Sequence, residues 1–432
     1  MSWIVDEIRG NLEQRTQYFS DTADEVAVSS LAQPAAERPE VAVVRHPIAD
    51  ARNNVVGYEL RFGGSVDLGD PAMDAKATSA LLADALGDIG LEQLAGRHPA
   101  WVTIARNFLI EIGPPPVRPD RAVLQITACP AQDDLLSVLQ QLGRSGYTIA
   151  LDDYDGRGDL GPLMSLCSIV RIDVQAVGLE GLPAAIVGPR MQSALLVATN
   201  VPDHATFAAC KELGFTYFQG EYFAQPRLFK RTSVGTAGLG SLRRLSELTA
   251  GDVSFEDLEQ IISSDVGLSL KLLRYVNSAF FALPRTVSSV REALTLLGVR
   301  TVRRWAVVMA ISALPDVHDE LVSLALRRAR MCEVLAGSAL PEERETLFTI
   351  GLFSVADALL DCPMAEVLDS LPFTEEIQAA LLRREGPKGE LLSAVIAYER
   401  GEFPSMQSPG LSLASAYRAA LEWADDAGRA IA

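Results

Sequence analysis

Residues 147–153 read Tyr-Thr-Ile-Ala-Leu-Asp-Asp, so that apolar and β-branched residues run into two adjacent carboxylates. Such a run is typical of a buried parallel strand that ends in a polar loop. In α/β barrels the chemistry lies at the carboxyl ends of the strands, where neighbouring Asp side chains can hold Mg²⁺ or Mn²⁺. Asp also ends strands and starts turns, so loop capping is the alternative interpretation.

Strands and helices alternate on both sides of this stretch. Further strands are predicted at residues 41–44, 55–60, 101–104, 122–126, 168–173, 194–198 and 215–218. Helical spacing predicts helices between several of them, including one at 70–87, one that Pro130 begins and Gly143 ends, and one that Asp203 caps. Repeated βα units over about 190 residues predict a parallel sheet covered by helices, which we expect to close into a barrel.

After about residue 235 the pattern is helical throughout. Ser254 and Asp257 are spaced as a capping box, and further helices are predicted after Asp265, up to Gly298, and from Thr301. We therefore predict three parts: a leader and linker at 1–39, a barrel at 40–235 and a helical domain at 236–432.

Composition narrows the class of protein. The net charge of −18 argues against binding to nucleic acid or to an anionic membrane surface. The sequence has no apolar run of roughly 18 residues and does not begin like a signal peptide. The five cysteines form no CxxC pair and are interpreted as reduced thiols. We expect a cytoplasmic protein with neither nucleic acid nor membrane as a partner.

Motifs in both halves carry a resemblance to a known family. In the first half they are residues 45–48 (Arg-His-Pro-Ile), 55–60 (Val-Val-Gly-Tyr-Glu-Leu), 151–154 (Leu-Asp-Asp-Tyr), 170–173 (Val-Arg-Ile-Asp) and 218–220 (Phe-Gln-Gly). In the second half they are residues 272–279 and 293–298. In this order they resemble bacterial signalling proteins that join an EAL domain to an HDOD domain. The resemblance implies an α/β plus all-α chain, with a modified TIM barrel followed by an HDOD helical bundle.

An active EAL domain hydrolyses cyclic di-GMP by metal-assisted attack of water on a phosphodiester. Glu59, Asp152 and Asp153 match the family's metal-binding positions. The positions that depart from the pattern are Thr103, Gln125, Arg171 and Thr199. Neutral side chains lower the anionic charge that divalent cations need, and Arg171 stands where active members have Lys. These departures predict no catalytic residue, no bound metal and no cofactor, with Mg²⁺ or Mn²⁺ needed only if the chain is active.

The helical half resembles HD-type phosphohydrolases that have lost their metals. Such hydrolases need several His and Asp ligands, whereas this half contains one histidine, His318, which we interpret as a surface residue. Ser354 and Val355 occupy the place where the His-Asp pair would stand.

We therefore predict a pseudoenzyme of the cyclic di-GMP phosphodiesterase type, a non-catalytic signal-transduction protein that binds regulatory protein partners. One alternative is a receptor that binds cyclic di-GMP without hydrolysis, and another is an active phosphodiesterase. For the receptor, Arg45, Arg61, Arg171 and Gln219 could contact phosphate or guanine edges. Ordinary surface or ion-pair use of these side chains is the simpler interpretation.

Partner binding is predicted chiefly for the helical domain. Phe280 and Phe281 are candidate anchors in a docking groove, or else core residues. An arginine cluster could dock an acidic partner or form the solvated side of a helix. Its members are Arg300, Arg303, Arg304, Arg327, Arg328 and Arg330. Asn277 and Ser278 are predicted to close a helix and hold the next loop.

Overall fold

The computed structural model describes residues 42–63, 90–115, 117–129, 133–156, 160–225, 245, 247–248, 253–277, 285–314, 317–337, 341–403 and 412–431. The predicted leader at 1–39, the predicted helix at 70–87, Ser278, Phe280 and Phe281 lie outside these residues. Residues 41–432 belong to one structural unit, which holds both the strands and the helical half. The domain boundaries given above remain predictions.

The strands close into an eight-stranded barrel in sequence order, as the alternation of apolar runs predicted. They are β1 (Ala42–Asp50), β2 (Val55–Gly63), β3 (Ala100–Thr103), β4 (Ala122–Thr127), β5 (Thr148–Asp152), β6 (Ile169–Asp173), β7 (Leu195–Thr199) and β8 (Tyr217–Phe218). Strand β1 is antiparallel to both β2 and β8, and the remaining pairs are parallel. Strand β2 contains Gly57, where a larger residue would clash, because a Cβ at this position would lie 2.3 Å from Nε1 of Trp101.

Two layers of side chains fill the barrel, since side chains alternate between the two faces of a strand. The lower layer is apolar and takes one residue from each strand: Ile48, Val56, Trp101, Val123, Ala150, Ile169, Val197 and Tyr217. Two positions further along β3 to β7, and just beyond β8, stand Thr103, Gln125, Asp152, Arg171, Thr199 and Gln219. The alternation therefore places a polar layer at the carboxyl ends of the strands, above an apolar floor.

Short helices follow most strands. They are α1 (Leu91–Ala95), α2 (Arg106–Glu111), α3 (Asp133–Arg144), α4 (Gly161–Met164), α5 (Val174–Val177), α6 (Leu182–Ala185), α7 (Val187–Met191) and α8 (His204–Glu212). Helix α3 buries Leu135, Leu139 and Leu142, as its spacing predicted, but it ends at Arg144 instead of Gly143. The carboxylate of Asp203 caps α8 by accepting a hydrogen bond from the backbone N–H of Thr206 at 2.7 Å.

The second half is helical, as predicted. Its helices are α9 (Phe255–Ser263), α10 (Val266–Val276), α11 (Val290–Leu297), α12 (Val299–Ser312), α13 (Asp319–Ala336), α14 (Arg344–Phe353), α15 (Ala356–Leu360), α16 (Met364–Asp369), α17 (Glu375–Arg383), α18 (Gly386–Glu399) and α19 (Leu413–Ile431). Ser254 and Asp257 form the expected capping box of α9. Helix α12 begins at Val299 and not at Thr301, because Gly298 ends α11 and directly precedes α12.

Buried polar contacts join the barrel to the helical half. The Tyr58 hydroxyl on β2 donates to a carboxylate oxygen of Glu320 on α13 at 2.9 Å. The other oxygen of Glu320 accepts from Nη1 of Arg327 at 3.0 Å. Arg327 is 3% exposed, so its predicted place in a surface arginine cluster is wrong: a charged partner on the same helix and Tyr58 allow its burial.

Asn277 has the predicted structural role. Its amide nitrogen donates to the carbonyl oxygens of Leu273 and Val287, each at 2.8 Å, and its amide oxygen accepts from the N–H of Val287 at 2.7 Å. The side chain thus fixes the end of α10 to the segment that leads into α11. Within the described residues, no helix combines the length and apolar character that a membrane span requires.

Candidate functional site

A cavity of about 420 Å³ lies at the barrel mouth and has two walls. On the barrel side its lining includes Arg45, His46, Glu59, Arg61, Asp152, Asp153, Arg171, Thr199 and Gln219. On the helical side its lining includes Arg327, Arg328, Ser354, Val355, Asp357, Arg384, Glu399, Arg400 and Tyr417. Ten of the twelve candidate site residues named from the sequence therefore line the cavity, eight on the barrel side and Ser354 and Val355 on the helical side.

Arg171 on β6 occupies the centre of the barrel wall. Its Nη1 lies 2.8 Å from Oε1 of Glu59, and its Nε lies 3.3 Å from Oδ1 of Asp152. Its Nη2 donates to the amide oxygen of Gln219 at 2.7 Å, and the Gln219 amide nitrogen donates to Glu59 at 2.9 Å. Because Arg171 and Glu59 are 2% and 4% exposed, this is a buried, closed ring of contacts.

The two carboxyl groups that contact Arg171, those of Glu59 and Asp152, differ in how their pKa values shift. Burial raises the pKa of Glu59, but the charge of Arg171 outweighs that effect, with help from His46 and Arg61, so the pKa lies below its usual value. Burial also raises the pKa of Asp152, and there the charge of Arg171 does not fully offset burial and the nearby Glu59 carboxylate. Glu59 is therefore held as an anion by the guanidinium.

The described residues at the mouth do not fit a divalent metal. Arg171 fills the space between Glu59 and Asp152, and a cation there repels a second one. Thr103 donates its hydroxyl to the amide oxygen of Gln125 at 3.0 Å, and both side chains are neutral, so neither brings the anionic charge that a divalent cation needs. Nowhere in the described part of the chain do three or more His, Cys, Asp or Glu side chains converge to hold a metal ion.

The candidate ligand-contact residues differ in how far their polar groups are already engaged by other protein groups. The guanidinium of Arg45 donates to both carboxylate oxygens of Asp425 on α19, at 3.0 and 2.7 Å, so it serves as an interdomain tie. Arg61 lies 3.4 Å from Glu59, but half of its side chain is exposed. Gln219 is held in the ring with Arg171. Of these residues, Arg61 is the one most open to a ligand.

The loop that carries Gln219 is held close to its neighbour. The Gln219 N–H donates to the carbonyl of Ala198 at 2.8 Å, and the Gln219 carbonyl accepts from the N–H of Val201 at 3.0 Å. At Gly220 a Cβ would lie 2.2 Å from the Val201 carbonyl oxygen, and φ is 155°, so only glycine fits. The Phe218-Gln219-Gly220 motif thus fixes one side of the mouth.

The helical wall contains Ser354 and Val355, which the sequence analysis placed where a His-Asp pair would stand. Ser354 and Val355 are 5% and 2% exposed, and Nη1 of Arg328 donates to the Ser354 hydroxyl at 3.2 Å. Nε of Arg328 donates to Glu399 at 2.6 Å. His46 on β1 shares a 2.7 Å hydrogen bond with the backbone carbonyl of Glu399, which joins the two walls.

Two arginines on this wall, Arg384 and Arg400, were not among the candidate residues identified from the sequence. Arg384 follows α17 with a left-handed backbone, φ 59°, and Arg400 forms an ion pair with Glu221 at the barrel mouth. Neither belongs to a family motif quoted above. The break at residues 384–387, Arg-Glu-Gly-Pro, indicates a turn, but nothing in the sequence indicates that it faces the barrel. His318, interpreted above as a surface residue, is partly buried and lies 3.2 Å from the Asn53 amide nitrogen.

Comparison with known proteins gives three findings. Residues 241–366 match the HDOD domain. The cyclic di-GMP phosphodiesterase CdgJ of Vibrio cholerae is 30% identical over 378 residues, which cover 86% of this chain and 88% of that protein. The uncharacterized protein YuxH of Bacillus subtilis is 26% identical over 411 residues, which cover 89% and 98%.

The fold has likenesses among solved structures. The Bacillus subtilis YkuI protein, with an EAL domain and in complex with substrate c-di-GMP and calcium, is 19% identical to this chain. That likeness covers 61% of this chain and 72% of the YkuI chain at a TM-score of 0.35, which is too low to bear on the site.

The prediction that the chain is a pseudoenzyme is contradicted by the Vibrio cholerae relative, which is named a phosphodiesterase. The prediction counted substituted ligands as if each were indispensable. It counted Arg171 as a departure, although Arg171 supplies a cation, as the Lys expected there would, where charge on a phosphoryl group needs compensation. With a relative of this identity and coverage, and with its HDOD match, the chain belongs to the family that joins an EAL-type barrel to an HDOD domain.

Proposed function

We propose that this chain binds cyclic di-GMP in the mouth cavity and cleaves one of its phosphodiester bonds. The convergence of guanidinium groups and carboxylates in one cavity carries the proposal. The name of the Vibrio cholerae relative supports the same substrate and reaction. A cavity of about 420 Å³ lies within the range of pockets that enclose small ligands.

The arginine and aspartate side chains of the cavity have different proposed roles. Arg171 and Arg61 present cationic forks, which suit phosphate oxygens and stabilise charge that develops on them. Asp152 and Asp153 bring carboxylate oxygens into the same cavity, where one can accept the proton of an attacking water. No step is assigned to a metal, since the residues described at the mouth do not fit one.

The test is a pair of measurements on the full chain. Calorimetric titration gives the Kd for cyclic di-GMP, and chromatography of the products gives turnover with and without Mg²⁺ or Mn²⁺. Asp152→Asn should retain binding and lose turnover, whereas Asp155→Asn, exposed and outside the cavity lining, should retain both. A chain that binds no cyclic di-GMP would contradict the proposal, and binding without any turnover would remove its catalytic part.

We also propose that the helical half binds protein partners that regulate or respond to this activity. Leu270 on α10 and Leu296 on α11 support this, because they are 53% and 44% exposed on neighbouring helices. A pull-down with the Leu270→Ser, Leu296→Ser variant should lose partners that the full chain retains. Leu195→Ser, at a similarly exposed Leu of the barrel, is the matched control. Equal capture by all three proteins would contradict this role.

A further inference from the structure

Among the described residues, the cations and carboxylates of the helical wall are not fully paired with each other. Arg328 uses one oxygen of Glu399, and the other oxygen, Oε1, has no hydrogen-bond partner among the described residues. Arg384 lines the same wall and has no carboxylate within ion-pair distance in the described part of the chain. Asp357, which also lines it, caps the N–H of Ala358 at 2.9 Å.

Arg384 has donor groups left over. Its Nη1 donates to the carbonyl of Leu381 at 2.9 Å and approaches that of Ala380 at 3.4 Å, which closes the end of α17. Its Nε and Nη2 have no hydrogen-bond partner among the described residues. Burial and then repulsion from Arg328, which lines the same wall, lower the pKa of Arg384, and the nearby Asp357 carboxylate offsets this only in part. An anion between the two cations would remove that repulsion.

The barrel wall faces this pair with its own cations, Arg171 and Arg61. A cyclic dinucleotide carries two phosphodiester groups on opposite sides of its ring, so one ligand can present an anion to each wall. We propose that Arg384 and Arg328 form a second phosphate-binding subsite, so that the HDOD half holds the second phosphodiester of the dinucleotide bound by the barrel. This rests on the proposed function for the identity of the ligand, and it makes the helical half part of the substrate site.

The subsite has a consequence for signalling. Arg384 directly follows α17 and Arg328 lies on α13, so a ligand that bridges both walls ties these helices to the barrel strands. The free energy of binding to both walls stabilises one arrangement of the barrel and the helical half relative to others. The HDOD half therefore reports occupancy of the barrel mouth to whatever binds its outer surface.

The test uses the full chain and the Arg384→Asn variant. Asn is suited to the left-handed backbone at this position, so the substitution removes the guanidinium with little backbone strain. Arg383→Asn is the matched control, because Arg383 lies one residue earlier, is more than half exposed and pairs with Glu385 at 2.9 Å. Calorimetry measures the Kd of each protein for cyclic di-GMP and, separately, for inorganic pyrophosphate.

We expect Arg384→Asn to raise the Kd for cyclic di-GMP by about tenfold, in line with the loss of one charge-assisted contact, and Arg383→Asn to leave it unchanged. If the full chain binds cyclic di-GMP and the Kd of Arg384→Asn lies within twofold of the Kd of the full chain, the subsite is overturned and the proposed function stands. If the full chain binds pyrophosphate but not cyclic di-GMP, and Arg384→Asn loses the pyrophosphate binding, the phosphate-binding subsite stands and the proposed function is wrong. If neither ligand binds, both fail.

A folding defect in Arg384→Asn would not end the test. Arg384→Lys keeps the charge and loses the fork, so we expect an intermediate Kd with unchanged thermal unfolding. An Arg384→Lys Kd equal to that of the full chain, together with a tenfold rise in Arg383→Asn, would assign the effect to surface charge and overturn the subsite.

Discussion

Replacement of Arg171 by Met removes the cation at the centre of the barrel mouth and keeps a side chain of similar length. The Glu59 carboxylate then remains buried with Gln219 at 2.9 Å, Arg61 at 3.4 Å and the His46 ring at 3.8 Å to compensate it. Loss of one partner from a buried ion pair costs about 3–5 kcal/mol. Because Gln219 and Arg61 remain, we expect the lower end, a loss of about 3 kcal/mol in the free energy of unfolding.

The assay is urea denaturation of the full chain followed by circular dichroism at several pH values. In the native chain the depressed pKa of Glu59 contributes stability above its unfolded value near 4.5, and this is lost as the pH falls through the folded value. Without Arg171, burial dominates and raises the pKa of Glu59 above 4.5, so the variant loses stability as the pH rises from there. The deficit of Arg171→Met should therefore grow between pH 4.5 and 7.5.

Two further variants sharpen the result. Glu59→Gln in the Arg171→Met background should recover much of the stability, because the buried charge is gone. Arg118→Met is the control, since the Arg118 to Asp120 ion pair is exposed and its loss should not move the urea midpoint. Unchanged stability of Arg171→Met, or a deficit that shrinks as the pH rises, would refute the buried ring as described.

Three further predictions follow from other contacts. Asn277→Ala should lower the free energy of unfolding by about 1–2 kcal/mol, because the amide joins two segments; an unchanged thermal midpoint would contradict that role. Asp425→Asn should cost about 2 kcal/mol, because it weakens the hold on the buried Arg45, whereas the exposed Glu422→Gln should cost nothing measurable; equal midpoints for the two would remove the interdomain tie. EDTA should leave the Kd for cyclic di-GMP unchanged, since a guanidinium occupies the central position at the barrel mouth; a tenfold weaker Kd after chelation would show a metal that this account lacks.

The fold and the barrel wall of the site were accessible from the sequence because strands alternate. The apolar layer from Trp101 to Tyr217 is followed two residues later by Thr103 and the other mouth residues, so the period of the strand predicts which side chains share the opening. Family motifs gave Glu59 its place on β2. The closed barrel then followed from the number and spacing of the strands.

Contacts between the barrel and the helical half could not be predicted from the strand pattern. Arg45 pairs with a residue 380 positions away in the chain, so the sequence leaves open whether it contacts a ligand or forms an ion pair, and the structure shows the ion pair. The burial of Arg327 is not evident from the sequence, because its partner Glu320, on the same helix, is in turn bonded to Tyr58 of the barrel, and that contact joins the two halves. Arg384 belongs to no motif, and its place opposite the barrel depends on how α17 and α18 pack.

The prediction of function erred for a related physical reason. The guanidinium of Arg171 contacts both Glu59 and Asp152, so it supplies the cationic charge that the Lys expected there would supply. A count of departures records Thr103, Gln125, Thr199 and Arg171 alike as losses, although Arg171 keeps this charge.

A crystal structure of the full chain with cyclic di-GMP tests the central claim most directly, because it shows which walls of the cavity hold the ligand. We predict one phosphodiester within hydrogen-bond distance of Arg61 or Arg171 and the other within hydrogen-bond distance of Arg384. A dinucleotide seated outside this cavity, or one held by the barrel with Arg384 turned away from it, would contradict the account.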